Sequence, residues 1–329
     1  MSEDVFTSYA KFVADAGACR DDDSGALELT TRLLDHTEEG GGRSSLNNDG
    51  APIQVCASLD ARGPRWRLIV DPASTVEPAE RRFLRARASL ERLLAERGPA
   101  LAPPCEQTLE ATLPRDPSGR AKLATGCLWL AAGLSEPGLA LYTTARWGDV
   151  DARWSRVDDW LERVLPDASR AREALAAVRP VALPIAQAIE GDSPERARAK
   201  VYFRAQNLTP LAKMGVGLLV DARVVEFLTA VVGDARLGRD TLVFSLGFSL
   251  RDGSVADAKV DVCAHCVVRH PEEWIAVFDA WALRWSTPPF GVEAALRAGR
   301  AEVAFVGLGV RTDGEVRTNL YLKPPSSRR

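Results

Sequence analysis

The sequence predicts an α+β fold: five ββ hairpins closing into a ten-stranded antiparallel barrel with a solvent-filled lumen, ringed outside by α-helices. Three observations carry that prediction. Hairpin-like segments with turn signals recur five times, with amphipathic helical stretches between them. Their second strands repeat at a nearly fixed interval. Tyr142, Tyr202, Asp261 and Tyr321 are separated by 60, 59 and 60 residues, and Ile69 is the matching position 73 residues before Tyr142. The same strands alternate with period two between an apolar and a polar face, so one face needs a cover and the other meets water.

Taken in order, residues 36–52 (HTEEGGGRSSLNNDGAP) read as a flexible loop without periodicity. Hairpin one, 53–71, runs IQVCASLD, an ARG turn and PRWRLIVD. A helix over 77–97 follows, with Phe83, Leu84, Leu90, Leu93 and Leu94 on one face and its arginines on a solvated outer face. Hairpin two, 126–147, precedes a helix marked by Trp154, Val157, Leu161, Val164 and Leu165. Hairpins three, four and five occupy 181–205, 241–265 and 301–323. The RDGS and TDGE turns of the last two carry the Asp-Gly signal of tight hairpins. Between those two lies a helix with Trp274, Val277, Phe278, Trp281 and Trp285, opened by Pro271 with Glu272 and Glu273 behind it.

Alternation assigns the faces. Ala197, Ala199, Val201 and Phe203 oppose Arg196, Arg198, Lys200, Tyr202 and Arg204. Val316, Thr318, Leu320 and Leu322 oppose Arg317, Asn319, Tyr321 and Lys323. Trp66, Leu68 and Val70 oppose Arg65, Arg67 and Ile69. With helices covering the apolar faces, closure gathers the polar ones inside. Ten strands leave a lumen too wide for side chains to fill, so one water-accessible chamber rich in Arg, Lys and Tyr is expected.

Composition narrows the function. At 46% hydrophobic and 26% charged, the 329 residues supply the core of one domain, 1–329. A net charge of −3 argues against a nucleic-acid binder, and no apolar run approaches the ~20 residues of a membrane span. The acidic, polar start MSEDVFTSYAKF is unlike a secretory signal. Six dispersed cysteines read as reduced thiols, so a cytoplasmic location is expected. Three histidines leave little for a multi-histidine metal site. Cys263 and Cys266 have C-x-x-C spacing but opposite strand parity, and Gly40–Gly42 lacks a following Gly-Lys-Ser, so both read as structural.

A ring of five ββ hairpins flanked by helices resembles the ABBA barrel of soluble aromatic prenyltransferases. The motifs narrow the resemblance to the indole prenyltransferase (dimethylallyltryptophan synthase) family. Pro52-Ile53-Gln54 and RLIVDP at 67–72 look like its first repeat, usually P-[IV]-E then R-x-x-x-E-P. Arg198-Ala-Lys200-Val-Tyr202 looks like its R-x-K-x-Y diphosphate strand, with Lys259 and the run Arg317 to Tyr321 in the corresponding places of repeats four and five. The resemblance spans roughly residues 45 to 324.

It implies transfer of a dimethylallyl or longer isoprenyl group from its diphosphate to an aromatic acceptor, in secondary metabolism such as alkaloid biosynthesis. Arg67, Arg198, Lys200, Lys259 and Arg317 would hold the diphosphate, with Lys323 and Arg204 as outer members. Tyr142, Tyr202 and Tyr321 would shield the allyl cation. Leu46, Gln54 and Thr144 would meet the acceptor. By parity Asp60 and Asp261 point into the lumen, where each is expected to form a salt bridge to a neighbouring Arg or Lys, with a replacement base as the alternative role. Physical chemistry agrees, since fixed cations in a partly dry chamber stabilise a departing diphosphate and aromatic faces stabilise a carbocation. No metal and no cofactor beyond the co-substrate is implied, and the chain would act as a monomer or homodimer.

The chain departs from the family at Gln54, where a glutamate is usual, at Ala140, where a lysine is usual, and at Asp261, where a tyrosine is usual. An amide accepts a hydrogen bond but takes up no proton at neutral pH. The first strand of hairpin three lacks the arginine that grips a tryptophan carboxylate. A phenol, a diketopiperazine-like indole or a modified peptide therefore fits as well as tryptophan. A non-catalytic isoprenoid-binding barrel is the alternative of another class.

Overall fold

Apolar side chains on one face and polar ones on the other are accommodated here by a sheet that closes on itself and has no edges. The computed structural model describes residues 9, 11–18, 28, 33, 44–60, 63–73, 76–123, 126–134, 137–205, 217–233, 235, 238, 240–284 and 289–325. Ten strands form a closed barrel: β1 (Ile53–Asp60), β2 (Gly63–Val70), β3 (Leu128–Gly133), β4 (Leu139–Thr144), β5 (Ala182–Gly191), β6 (Arg198–Ala205), β7 (Leu242–Ser249), β8 (Val255–Cys263), β9 (Glu302–Arg311) and β10 (Val316–Lys323). Each pairs antiparallel with its sequence neighbour, and β1 closes on β10 with Cys56 opposite Tyr321. The within-hairpin turns therefore gather at one end, and the connections between hairpins at the other. Gly253 and Gly314 turn the two Asp-Gly hairpins at φ of 69° and 87°, a region where a side chain is strained.

Among the described residues the α-helices that surround the barrel include α1 (Ala79–Arg97), α2 (Ala102–Thr112), α3 (Pro117–Ala121), α4 (Val150–Val164), α5 (Ser169–Ala176), α6 (Ala222–Val232), α7 (Pro271–Arg284) and α8 (Glu293–Arg297). Outward-facing Val201, Phe203, Phe244, Leu246 and Phe248 are buried in one core with Trp154 and Trp160 of α4 and Phe227 of α6. α2 hid from periodicity because its buried face carries Thr108 and Thr112, whose hydroxyls bond to Pro104 O and Thr108 O while Thr108 accepts the Trp160 indole N–H. No helix of the described residues is long and apolar enough to cross a membrane. Trp285 lies outside the described residues.

Two expectations are corrected. The arginine-rich face of α1 is not wholly solvated, because Arg82 is buried and ion-paired with Asp71; Leu84, expected on the apolar face, is 55% exposed. Nor is the described part of the 36–52 loop free. Ser44 Oγ donates to Asp71 (2.6 Å), Asn47 Nδ2 donates to the carbonyls of Ala51 (2.7 Å) and Ile53 (3.0 Å), and Lys323 donates to Asp49 (2.5 Å). Residues 36–43 lie outside the described set.

Asp71 thus anchors both α1 and the loop over the barrel end. Asp71→Ala leaves the Arg82 guanidinium buried without its carboxylate, a loss of about 3–5 kcal/mol. Urea unfolding should show a midpoint lowered to match; a change within about 0.5 kcal/mol, the size of an ordinary surface substitution, would contradict the anchoring role.

Candidate active site

Because each even-numbered strand places the repeat position at a comparable height, stepping back by two residues generates layers down the lumen, each about 7 Å from the next. The uppermost layer reads Ile69, Tyr142, Tyr202, Asp261, Tyr321. The second reads Arg67, Ala140, Lys200, Lys259, Asn319, and the third Arg65, Gly138, Arg198, Asp257, Arg317. Odd-numbered strands put mostly small residues between them: Ala131 opposes Ile69, Ala188 opposes Tyr142, Ser245 opposes Tyr202 and Gly307 opposes Asp261. A Cβ on Gly307 would collide with Asp261 Oδ1 and fall 2.8 Å from Lys259 Cε, so that glycine is the space the two side chains occupy.

The lower two layers concentrate charge. Arg67 donates to Glu190; Arg198 donates to Asp257 and, at 3.3 Å, to Glu190. Lys200 Nζ lies 3.4 Å from Glu190 and 3.6 Å from Asp257, and Arg317 is 3.9 Å from Asp257. Four cations thus share two carboxylates, an excess of two positive charges inside the barrel. Burial would raise the Glu190 carboxyl pKa, yet Lys200, Arg67, Arg198 and Arg317 hold it well below the usual range. Burial lowers the Lys200 ammonium despite Asp257 and Glu190. The Nε–H groups of Arg67, Arg198 and Arg317, the Asn319 Nδ2 and the Ser245 hydroxyl are buried with no hydrogen-bond partner among the described residues, a set of donors waiting for an acceptor.

Above them the tyrosines converge. The rings of Tyr142 and Tyr202 lie 6.0 Å apart, and Tyr321 packs edge-on against Phe305 at 6.0 Å. Burial raises all three phenol pKa values, so they stay neutral. Lys259 donates to Tyr321 Oη (2.5 Å) and pairs with Asp261 (2.7 Å), linking the cation layer to the tyrosine layer.

Two cavities meet these layers rather than the single chamber expected. A smaller one, about 160 Å³, lies on the tyrosine side and is lined by Leu46, Gln54, Ile69, Trp129, Tyr202 and Phe305 among others. A larger one, about 700 Å³, occupies the hairpin-turn end beside Arg65, Arg67, Glu190, Arg198 and Arg317.

Of the residues singled out from sequence, Arg67, Arg198, Lys200, Lys259 and Arg317 are brought together, as are the three tyrosines. Leu46 and Gln54 line the smaller chamber, but Thr144 does not; its Oγ1 accepts the backbone N–H of Arg146. Arg204 and Lys323 are two residues above the tyrosine layer, paired with Asp240 and with Asp49 and Glu302, and do not join the cation cluster. Asp60 pairs with Arg65, six residues and about 20 Å along β1 from Gln54, too far to serve as a base there. Asp261 does line the smaller chamber, ion-paired with Lys259. Burial pushes the Cys263 thiol up to about 12, and no cluster of metal-ligating side chains occurs among the described residues.

Glu190 and Asp257 were missed. Parity could have found both: Asp257 precedes Asp261 by four residues, as Arg198 precedes Tyr202, and Glu190 shares a face with Ala186 and Ala188. Ala140, where a lysine was expected, faces Glu190 across the β4–β5 pair. Arg146, at the mouth of the smaller chamber, was missed because it lies just beyond the end of β4.

No protein-family model and no curated protein sequence matches the chain. Solved structures do. The 5-dimethylallyltryptophan synthase from Streptomyces coelicolor is similar over 100% of both chains at 18% identity and a TM-score of 0.80. The 6-dimethylallyltryptophan synthase from Micromonospora olivasterospora, in complex with DMASPP and Trp, is similar over 98% of both at 17% identity and 0.81. AnaPT from Neosartorya fischeri is similar over 97% of this chain and 92% of that one, at 14% identity and 0.69. The fold is the ABBA barrel of these prenyltransferases.

Proposed function

We propose that this chain is an aromatic prenyltransferase that moves a dimethylallyl or longer isoprenyl group from its diphosphate to an indole-type aromatic acceptor by electrophilic aromatic substitution. The observation that carries it is the order of the lumen: a buried excess of positive charge beneath neutral tyrosine rings, beneath a small chamber with an apolar and aromatic wall. That two dimethylallyltryptophan synthases of the same fold bind DMASPP and Trp supports it.

In this account the diphosphate takes over Arg67, Arg198, Lys200 and Arg317 from Glu190 and Asp257, and the unpartnered donors of Ser245 and Asn319 complete its shell. The donor's C1–O bond breaks and its electron pair leaves with the diphosphate, whose growing charge meets cations already in place. Tyr142, Tyr202 and Tyr321 face the allyl cation, each contact contributing roughly 0.5–2 kcal/mol, and keep water from it. A ring in the smaller chamber supplies the electron pair for the new bond to the allyl carbon. The ring proton then leaves to diphosphate or water, restoring aromaticity. A cavity of about 160 Å³ suits a single ring system, with the rest of the acceptor at the mouth near Arg146.

Incubation with dimethylallyl diphosphate and a panel of indoles and phenols should give an acceptor mass increased by one prenyl unit. Lys200→Ala and Arg67→Ala should each lower turnover at least about ten-fold, since a charge-assisted contact to a buried phosphate contributes about 1.5–3 kcal/mol. Unchanged kinetics in both variants would sink the assignment of the cation layer. Because the charge on the leaving group is met by side chains, the reaction should also run in excess chelator. Complete loss there, restored by magnesium, would mean that the cations do not suffice.

A further inference from the structure

The amide groups of Asn47 and Gln54 are locked to one another in a single sense. Asn47 Nδ2 donates to two backbone carbonyls, Ala51 O at 2.7 Å and Ile53 O at 3.0 Å. Carbonyls only accept, so the Asn47 amide cannot be turned over, and its Oδ1 must face the other way as an acceptor. It faces Gln54, whose Nε2 donates to it at 2.7 Å and to the Leu46 carbonyl at 3.4 Å. Both Nε2 hydrogens are thereby used within the loop. Gln54 Oε1 is left without a donor among the described residues, on a side chain that lines the smaller chamber and is only 3% exposed.

Resting on the proposed prenyl transfer, we infer that Asn47 is a positioning residue that fixes Gln54 as a pure hydrogen-bond acceptor toward the substrate, and so selects aromatic acceptors that present an N–H or O–H to Oε1. The same lock excludes a carboxylate at position 54. A glutamate there would set an anionic oxygen against Asn47 Oδ1 and Leu46 O, two acceptors with no proton between them. Position 54 and position 47 form a matched pair. The glutamine is the side chain that this loop demands, and proton removal falls to another group. The loop is held independently of the pair by Ser44–Asp71 and Lys323–Asp49, so the amide lock can be broken without releasing the loop.

The test is a double-mutant cycle read against pH, with Gln54→Glu, Asn47→Ala and the combination, following acceptor kcat/KM, donor KM and melting temperature from about pH 5 to about pH 8, a span that brackets a raised carboxyl pKa. Asn47→Ala should raise acceptor KM about five-fold with donor KM unchanged, the effect of one lost hydrogen bond. Gln54→Glu alone should fall at least about ten-fold below wild type at the upper pH and recover as pH drops, because the protonated acid carries an O–H that replaces Nε2–H toward Asn47. In the double variant the Asn47 oxygen is gone and only the Leu46 carbonyl and burial still oppose the carboxylate, so that pH limb should shrink.

Melting temperature reads the lock even if no acceptor turns over, so failure of the inference and failure of the proposed reaction are separable. In Gln54→Glu the introduced carboxyl faces Asn47 and has a folded pKa above its unfolded value, so the native state holds the extra proton. The variant's stability relative to wild type is then greatest at low pH and lost as pH rises through the folded pKa; Asn47→Ala should make that slope shallower, and an unchanged slope in the double variant would overturn the inference. A Gln54→Glu variant whose stability and activity are flat or rising with pH while Asn47 is present would overturn the inference. So would an Asn47→Ala variant with wild-type acceptor KM.

Discussion

Burying four cations around two carboxylates inside one barrel is the constraint on which the lumen depends. Each ion taken from water costs several kcal/mol unless a counter-charge and hydrogen bonds replace the solvent. Glu190 and Asp257 supply that counter-charge, and they do so incompletely: Arg67 and Arg198 are well paired, Lys200 sits between the two carboxylates at 3.4 and 3.6 Å, and Arg317 is 3.9 Å from the nearer one. The arrangement folds as it stands and still carries an unmet positive excess. A diphosphate with about three negative charges would complete the balance that the two carboxylates begin.

Barrel closure is what turns a repeat in the chain into a site. A period of two down each strand and about sixty residues from one hairpin to the next puts chemically similar side chains at one height from five directions. Even-numbered strands contribute most of the long functional groups, while Ala131, Ala188, Gly247 and Gly307 on odd-numbered strands leave room for them. The tyrosine layer separates a small chamber with an apolar and aromatic wall from a wide charged one, which places a carbocation between an electron-rich ring and its leaving group in the proposed reaction.

Much of this was legible in the sequence because it was periodic. The five hairpins, the Tyr142–Tyr202–Tyr321 register and the cation ladder all follow from parity, and the structure keeps them. What escaped was aperiodic or depended on contacts between distant segments. Glu190 stands at the turn end of a strand otherwise read as apolar, and its meaning comes from Arg67, 123 residues away. Asn47 sits in a stretch rich in Gly, Ser and Asn that looks unstructured, and only the carbonyls of Ala51 and Ile53 reveal its fixed orientation. Arg204 and Lys323 had the right parity and the wrong height, because alternation assigns a face and not a depth along the barrel axis. Asp60 has lumen parity as well and forms the salt bridge to a neighbouring arginine, Arg65, that the sequence led one to expect, at a depth that rules out a base beside Gln54.

Glu190 and Asp257, on this account, hold the cation layer in the place of a diphosphate. That role is tested most directly by titrating inorganic pyrophosphate into the wild-type protein and into Glu190→Gln by calorimetry. With one competing anion removed and the positive excess enlarged, the variant should bind pyrophosphate at least about ten-fold more tightly, a difference of about 1.4 kcal/mol. Equal or weaker binding by Glu190→Gln, in a protein that melts cooperatively, would contradict the account.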